Sequence, residues 1–581
     1  MDRNAIADVL REISVLLDLK GENRFKVLAY ANAARTLETL QEDLGRLIAE
    51  KRLGELKGIG TELSKKIADL HLTGHLPFHE ELKASFPPGL LDCLRIPGLG
   101  PKKVKVLWDQ LQIDSLGDLK LACDRGAIAG LDGFGEKTQA KILEGIANLD
   151  KYRGHFLLAE AEAVANPLLE TLRACKAAKR VESAGSLRRR KEVVRDLDFV
   201  VATDDPAAVM ETFLSAPGAG KVVNRGPTKS SMLLENGMQA DVRCVTPAEF
   251  PFALAYFTGS KEHNIVMRQR AIERKLKLNE YGLFTVAAGS EEPKACRDEA
   301  AIYRALNLAF VPPELREDMG EFEAAEKDSL PRLVRAEDLR GTFHCHTTAS
   351  DGRNSLDEMV RAAIALGWEY LGIADHSKAS AVANGLDEKR LAAQGKEIAA
   401  LNRRLADEGR KFRIFTGSEV DILADGRLDF SDDLLAGLDF VVASIHQGFT
   451  GDEAKQTARV LRALSNPHVT MLGHPTGRLL LGREPYPLDL GAVIEAAAEN
   501  GTIIEFNATP SRMELDWRWW KRARDLGVMC SINPDAHATD QLRLAMDGAA
   551  TASKGWLRPE DVLNTRPLAQ VEKLLRRRRV S

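Results

Sequence analysis

Gly185-Ser186-Leu187-Arg188-Arg189, followed by Asp196-Leu197-Asp198-Phe199-Val200-Val201 and then Gln239-Ala240-Asp241-Val242-Arg243, is the stretch on which the reading of this chain turns. The apolar run after Asp198 marks a strand, and strand alternation puts Asp196 and Asp198 on one face. Asp241 lies in a second strand-like stretch. Three clustered carboxylates can hold two divalent cations, and paired metals stabilise both the attacking and the leaving oxygen of a phosphoryl displacement. Ser186 and Arg189, just ahead of the acidic pair, suit the phosphates of a nucleotide. Alone, Asp-x-Asp reads equally well as a turn or a solvated strand end, so the rest of the chain has to decide.

At 581 residues the chain is too long for a single core and is expected to be multi-domain. Its formal charge of −4 conceals basic clusters at Arg188 to Lys191 and Arg576 to Arg579. Overall acidity therefore does not exclude nucleic acid, because the local patch matters more than the sum. The Arg576–Arg579 run reads as a solvated tail or an electrostatic DNA contact. The polar start Met1-Asp2-Arg3-Asn4 leads to the expectation of no signal peptide, and no apolar run reaches membrane-spanning length. Seven cysteines without a Cys-x-x-Cys pair fit a reducing compartment. A cytoplasmic protein with no membrane partner is expected.

The first eighty or so residues carry apolar positions at helical spacing, such as Ile6, Val9, Leu10, Ile13, Leu16 and Leu17. A weak repeat then appears as Leu56-Lys57-Gly58-Ile59-Gly60, Ile96-Pro97-Gly98-Leu99-Gly100 and Leu131-Asp132-Gly133-Phe134-Gly135, each leading into a basic amphipathic stretch. A Gly-x-Gly turn lets the backbone come close, and the following helix offers free N–H groups to a phosphate without reading sequence. One copy is an ordinary helix–helix turn. Three copies resemble helix-hairpin-helix binders of the DNA backbone.

Tyr256-Phe257-Thr258-Gly259-Ser260-Lys261-Glu262-His263-Asn264, with Met267-Arg268 behind it, completes a pattern with the Gly-Ser and Asp-x-Asp elements. Up to about Arg316 the chain resembles the family X DNA polymerases, the group that contains DNA polymerase beta. The resemblance implies that Asp196 and Asp198 bridge two Mg²⁺ or Mn²⁺ ions. Asp241 would ligate the catalytic one and help activate a primer hydroxyl. Gly185, Ser186 and Arg189 would bind the triphosphate, and Tyr256, Phe257 and Gly259 the sugar. Asn264 would contact the nascent base pair and Arg268 the template. Phosphoryl transfer needs positioning and charge neutralisation more than covalent chemistry, in keeping with those roles. Ala29-Tyr30-Ala31-Asn32-Ala33-Ala34 and Gly58 to Lys66 resemble the family's small lyase domain, with Lys66 where a Schiff-base lysine belongs. Ala31, Asn32 and Glu62 depart from the family's basic residues there and weaken its 5′-phosphate pocket. A solvated or phosphate-contacting Lys66 is the competing reading.

Beyond Gly341 the texture changes to apolar runs (Tyr370 to Ala374, Phe440 to Ser444, Ile503 to Phe506) alternating with helical stretches, as in repeated βα units. Near such runs stand His344, His346, Asp351, His376, Glu419, His446, His474, Asp535 and His537. A lone histidine is usually structural, but six of the seven histidines after Gly341 fall into this set. Imidazole with carboxylate suits Mn²⁺, Zn²⁺ or Fe²⁺. The order resembles the PHP (polymerase and histidinol phosphatase) domain. That resemblance implies up to three ions: one on His344, His346, Glu419 and Asp535, a second on Glu419, His446 and His474, a third on Asp351, His376 and His537. It further implies a 3′–5′ exonuclease, with abasic-site endonuclease or 3′-phosphatase activity as extensions.

The expected fold is multi-domain: a helical helix-hairpin-helix region, an α+β nucleotidyltransferase palm with a thumb-like subdomain, then an α/β, distorted βα-barrel PHP domain. The expected segments are a lyase-like domain over 1–85, a DNA-binding subdomain over 86–155, the palm over 156–255, a nucleotide-selecting subdomain over 256–316, a charged linker over 317–340 and the PHP domain over 341–581. The expected activity is gap-filling DNA synthesis in repair, on gapped or primed DNA with dNTPs, by a monomer. Two alternatives are a phosphoesterase for small phosphomonoesters with a degenerate polymerase half, and a non-catalytic scaffold that binds DNA nicks.

Overall fold

In the computed structural model the described residues are all but Asp2, Thr39, Gln41, Pro97, Ala288, Gly289 and Ser581, with the side chains of a few neighbours also outside the description. Two compact units divide the chain, Met1–Arg153 and Gly154–Ser581. No helix among the described residues is long and apolar enough to cross a membrane.

The first unit is built of helices, beginning with Arg3–Lys20, whose Ile6, Leu10, Ile13 and Leu17 form one buried stripe. The expected division at 85/86 does not separate two cores. Leu82, Phe86 and Leu90 belong to one hydrophobic cluster that runs from Ile6 to Ile146, and Phe86 packs on Trp108 with ring centroids 5.7 Å apart. Each Gly-x-Gly turn precedes a helix: Thr61–Thr73, Pro101–Leu111 and Gly135–Lys151.

The second unit opens with the palm, a five-stranded sheet of β1 (Ala178–Ser183), β2 (Asp196–Thr203), β3 (Ala219–Arg225), β4 (Lys229–Leu234) and β5 (Gln239–Val245), in the order β1-β2-β5-β4-β3. β2 and β5 run parallel in a register that sets Asp198 opposite Asp241. Helices Phe250–Thr258 and Lys261–Glu273, a three-stranded antiparallel sheet and helix Glu299–Ala305 follow around a second core.

Residues 317–340 are not a free linker. Their apolar side chains Phe322, Ala325 and Leu333 enter that second core beside Trp556. Glu321, fully buried, accepts from His263 Nδ1 at 2.8 Å and from the backbone N–H groups of Asp318 and Met319. A charged composition masked a segment fastened by one buried hydrogen-bonded carboxylate and three apolar anchors.

The C-terminal region is a parallel sheet of β6 (Gly341–Cys345), β7 (Tyr370–Ile373), β8 (Arg413–Asp421), β9 (Phe440–Ser444), β10 (Met471–Leu472), β11 (Ile503–Asn507) and β12 (Cys530–Asn533), ordered as in the chain. It nearly closes into a barrel, because residues just beyond β6 and β12 meet: His346 N–H donates to the Ala536 carbonyl at 2.8 Å. Phe343, Tyr370, Phe415 and Phe440 pack together in one buried cluster. Glycine makes room for these rings, since a Cβ at Gly372 would lie 2.4 Å from Phe343 and one at Gly417 2.5 Å from Phe440. The strands are buried on both faces, as a parallel sheet under helices requires.

Candidate active sites

Asp196 and Asp198 flank the buried Leu197 on β2, and Asp198 faces its registered neighbour Asp241 on β5. Burial, then the charges of Asp196 and Asp241, push the Asp198 carboxyl up to about 7. Asp241 Oδ2 accepts from Lys229 Nζ at 2.6 Å and Oδ1 from Gln239 Nε2 at 2.9 Å. Gly185, at φ +59°, begins the short helix Gly185–Arg188 against Asp198, and a Cβ there would sit 2.3 Å from Asp198 Oδ2. Only glycine permits that approach. Ser186 is half-buried in the same turn.

Arg189, expected at the triphosphate, is held on both sides. Its Nη1 donates to the Thr258 carbonyl at 2.5 Å and its Nε to Glu317 Oε1 at 3.1 Å. Arg188 turns instead to Glu299, which also receives the fully buried Arg316. Burial opposes ionisation of Glu299, but Arg316 and Arg188 outweigh it and hold the carboxyl down to about 2. Tyr256 and Phe257 are half-buried with ring centroids 5.2 Å apart, and Gly259 borders Arg189. Asn264 Nδ2 donates to the Tyr256 carbonyl at 2.7 Å, while Arg268 is exposed and donates to the Asn264 carbonyl. Tyr256, Asn264 and Arg268 line one cavity.

In the barrel the nine expected ligands converge at one end of the strands. Glu419, on β8 and fully buried, stands among five histidines. Its Oε1 meets His474 Nε2 at 2.8 Å and His446 Nε2 at 3.1 Å; its Oε2 meets His376 Nδ1 at 2.9 Å, His344 Nε2 at 3.2 Å and His346 Nε2 at 3.7 Å. Asp535 lies 3.2 Å from His346 Nε2, and Asp351 lies 3.4 Å from His537 Nε2 and 3.6 Å from His376 Nε2. His376 thus stands between Glu419 and the Asp351 group, where the PHP resemblance implied separate sets. The register between β6 and β7 shifts after Thr342, and His344 takes φ +55°, so His344 and His346 both reach Glu419. Asp535, at φ +51°, is likewise left-handed, a conformation sustained at functional sites by its surroundings.

Two carboxylates beyond the expected set orient these side chains, and a third holds a loop between them. Glu505, fully buried on β11, meets His344 Nδ1 at 2.6 Å and accepts from the His474 N–H at 2.6 Å and Asn533 Nδ2 at 2.9 Å. Asp421 meets His446 Nδ1 at 3.0 Å. Asp375 ties down the loop after His346 through Thr347 and Ser350. The available signal was a carboxylate inside an apolar strand run, Ile503-Ile504-Glu505-Phe506, since a buried charge must find a partner. Burial opposes the charge of His344, but Glu505 and Glu419 hold it well above the usual imidazole range, while Glu419 itself lies well below the carboxylate range.

The donor set fits metal. His344 Nε2, both ring nitrogens of His346, His376 Nδ1 and Glu419 Oε2 are buried polar atoms with no hydrogen-bond partner. Such atoms are costly unless something binds them.

In the helical unit Gly58, Gly98 and Gly133 have φ near +80°. Gly60 and Gly100 cap their helices in extended conformation, and Gly135 begins its helix at φ +68°. A Cβ on Gly60, Gly98, Gly100, Gly133 or Gly135 would meet nothing within 4 Å, so no neighbour in the structure demands these glycines by crowding. Lys66 donates to Tyr30 and to Glu62 Oε1 at 2.7 Å and lies 4.0 Å from the centroid of Phe78. Burial works against its charge, but Glu62 and Tyr30 outweigh that and raise its pKa. A Schiff-base lysine needs the opposite shift. Of the Arg576–Arg579 run, Arg576 is exposed and pairs with Glu572 at 3.6 Å; the other side chains lie outside the described residues.

The chain matches the DNA polymerase beta thumb over residues 253–317, a helix-hairpin-helix domain over 1–76, a SAM-like helix-hairpin-helix tandem over 90–148 and the PHP domain over 342–509. It is 40% identical over 579 residues to the DNA polymerase/3′–5′ exonuclease PolX of Bacillus subtilis, covering 99% of this chain and 100% of that protein. Part of the chain is also similar to a probable phosphatase of Thermoanaerobacter sp. (30% over 162 residues, 26% of this chain and 64% of that protein) and to one of Caldanaerobacter subterraneus (32% over 136 residues, 21% and 50%).

Proposed function

The chain belongs to the PolX family of DNA polymerase/3′–5′ exonucleases, and we propose that it works both ways on one DNA end, filling short gaps from its palm and trimming 3′ ends in its barrel. One observation carries the reading: a chain matched over its whole length keeps the registered carboxylates of the palm and the nine converging ligands of the barrel.

Asp196, Asp198 and Asp241 would hold Mg²⁺ or Mn²⁺; the barrel set of His344, His346, Asp351, His376, Glu419, His446, His474, Asp535 and His537 would hold Mn²⁺, Zn²⁺ or Fe²⁺. Bound ions supply charge neutralisation and polarise phosphoryl oxygens. The chain's own groups do the rest. Asp198, its carboxyl pushed up to about 7 by burial and by the charges of Asp196 and Asp241, is the member of the triad that would gain most from a cation's charge. Ser186 and Arg189 grip the triphosphate once Arg189 exchanges Glu317 for it. Tyr256 and Phe257 form the sugar wall, Asn264 and Arg268 follow the base pair and template, and the three Gly-x-Gly turns hold the DNA backbone. Glu505 and Asp421 fix ring orientation in the barrel, and Asp375 fixes the loop after His346. Similarity of part of the chain to probable phosphatases supports extending the barrel's reaction to 3′-phosphates.

Primer extension and degradation on gapped DNA with Mn²⁺ or Mg²⁺ test the reading. Asp198→Ala should abolish extension and leave degradation, and His344→Ala should do the reverse. Degradation at the normal rate in His344→Ala would place the nuclease elsewhere, and extension by Asp198→Ala would remove the polymerase site from the palm.

A further inference from the structure

Lys554, in a turn after the barrel's last strand, lies outside both sets of reacting residues, yet its ammonium is fully buried. It donates to the Arg189 carbonyl at 2.8 Å, the Glu314 carbonyl at 3.2 Å and Glu317 Oε1 at 2.8 Å, and it lies 4.6 Å from the centroid of Trp517. An ammonium has three protons, and three oxygens take them. The oxygen of Glu317 that Lys554 reaches is the one that Arg189 Nε also reaches. Trp517 belongs to the same contact, since its indole N–H donates to Glu192 Oε2 at 2.9 Å in the palm.

Two cations therefore share one carboxylate beside the nucleotide turn. With Glu317 alone, Arg189 would form a neutral pair, and a triphosphate would have to compete with a full carboxylate charge for the guanidinium. With Lys554 present the trio of Lys554, Arg189 and Glu317 keeps one net positive charge near neutral pH, although burial lowers the lysine to about 8. Glu317 is firmly ionised, because Lys554 and Arg189 outweigh the burial that opposes it.

We propose that Lys554 is a positioning residue of the polymerase site: by holding Glu317 and the Arg189 carbonyl, it leaves the Arg189 guanidinium able to exchange Glu317 for the triphosphate of an incoming nucleotide. This rests on the reading of Arg189 as a nucleotide-binding residue. It makes the nuclease barrel a working part of the polymerase site.

The test is steady-state primer extension by the full chain, with dNTP varied, in Lys554→Met, Glu317→Gln, the double variant and Arg189→Ala. Lys554→Met should raise KM for dNTP roughly tenfold, within the usual range for coupling between sites. Its kcat and its rate of 3′-end degradation should stay near those of the unaltered chain. The double variant should return KM to within about twofold of Glu317→Gln alone, the margin of ordinary additivity. An unchanged KM in Lys554→Met would overturn the proposal. So would a raised KM that persists in the double variant, which is what a merely structural lysine would give. An unchanged KM in Arg189→Ala would instead overturn the reading beneath it.

Discussion

Glu505 shows how a single side chain sets the geometry of a site it does not complete. It binds the far nitrogen of His344 on β6 and the backbone N–H of His474 just beyond β10, so it fixes two expected ligands from different strands. Glu505→Gln should lower metal affinity in the barrel by about 10–100-fold, the usual cost of losing such a partner. Calorimetric Mn²⁺ titration and the rate of 3′ degradation would measure this, with primer extension unaffected. Glu299 acts on stability instead. Its carboxyl is held down to about 2, below its ordinary 4.5, so its contribution is complete above the ordinary value and is lost as pH falls through about 2. Glu299→Gln should destabilise the C-terminal unit by about 3 kcal/mol near neutral pH, leaving Arg188 and Arg316 without their counter-charge. The deficit should vanish at low pH, which thermal melts across an acid series would reveal. At this scale residue type pointed to the nine side chains that converge in the barrel, because imidazole and carboxylate are the donors metal chemistry uses. It was a poor guide to their partners. Glu317 lies 128 residues from the Arg189 it holds, and no local spacing announces such a pair.

The Gly-x-Gly turns make a prediction that separates folding from binding. Gly60 and Gly100 have ordinary negative φ and open space at Cβ, so alanine costs the fold little at either position. If the turns press their backbone onto DNA phosphates, the added methyl obstructs that approach. Gly100→Ala should leave the melting temperature within about a degree or two, since surface changes away from special features cost at most about 0.5 kcal/mol. It should weaken binding of gapped DNA several-fold, with the salt slope retained because no charge is removed. Undiminished binding would assign these turns a purely structural role. The elements themselves were readable where periodicity was strong, as in the first helix and the apolar barrel strands. The segment 317–340 was not, because its three apolar anchors are scattered among charges and its buried Glu321 resembles a surface residue until His263 is seen against it.

On the scale of the molecule, the palm, the thumb and the barrel belong to one compact unit, while the helical region forms another. Order of motifs along the chain gave the sequence of parts correctly, but not which parts share a core. The cores from 1–85 and 86–155 merge, and Trp556 of the barrel region enters the core of the thumb. Such sharing depends on where chain segments return in space, and local hydrophobic patterns hold no record of it. The closure of the barrel has a consequence in time. The Thr342 hydroxyl donates to the Ile532 carbonyl across 190 residues of chain, and His346 meets Ala536 at the same seam. During synthesis the palm's carboxylates are all made once residue 241 has left the ribosome. The barrel cluster lacks Asp535 and His537 until the last strand has been translated, so a nascent chain that stalls earlier carries the acidic triad but only part of the nine side chains that converge in the finished barrel.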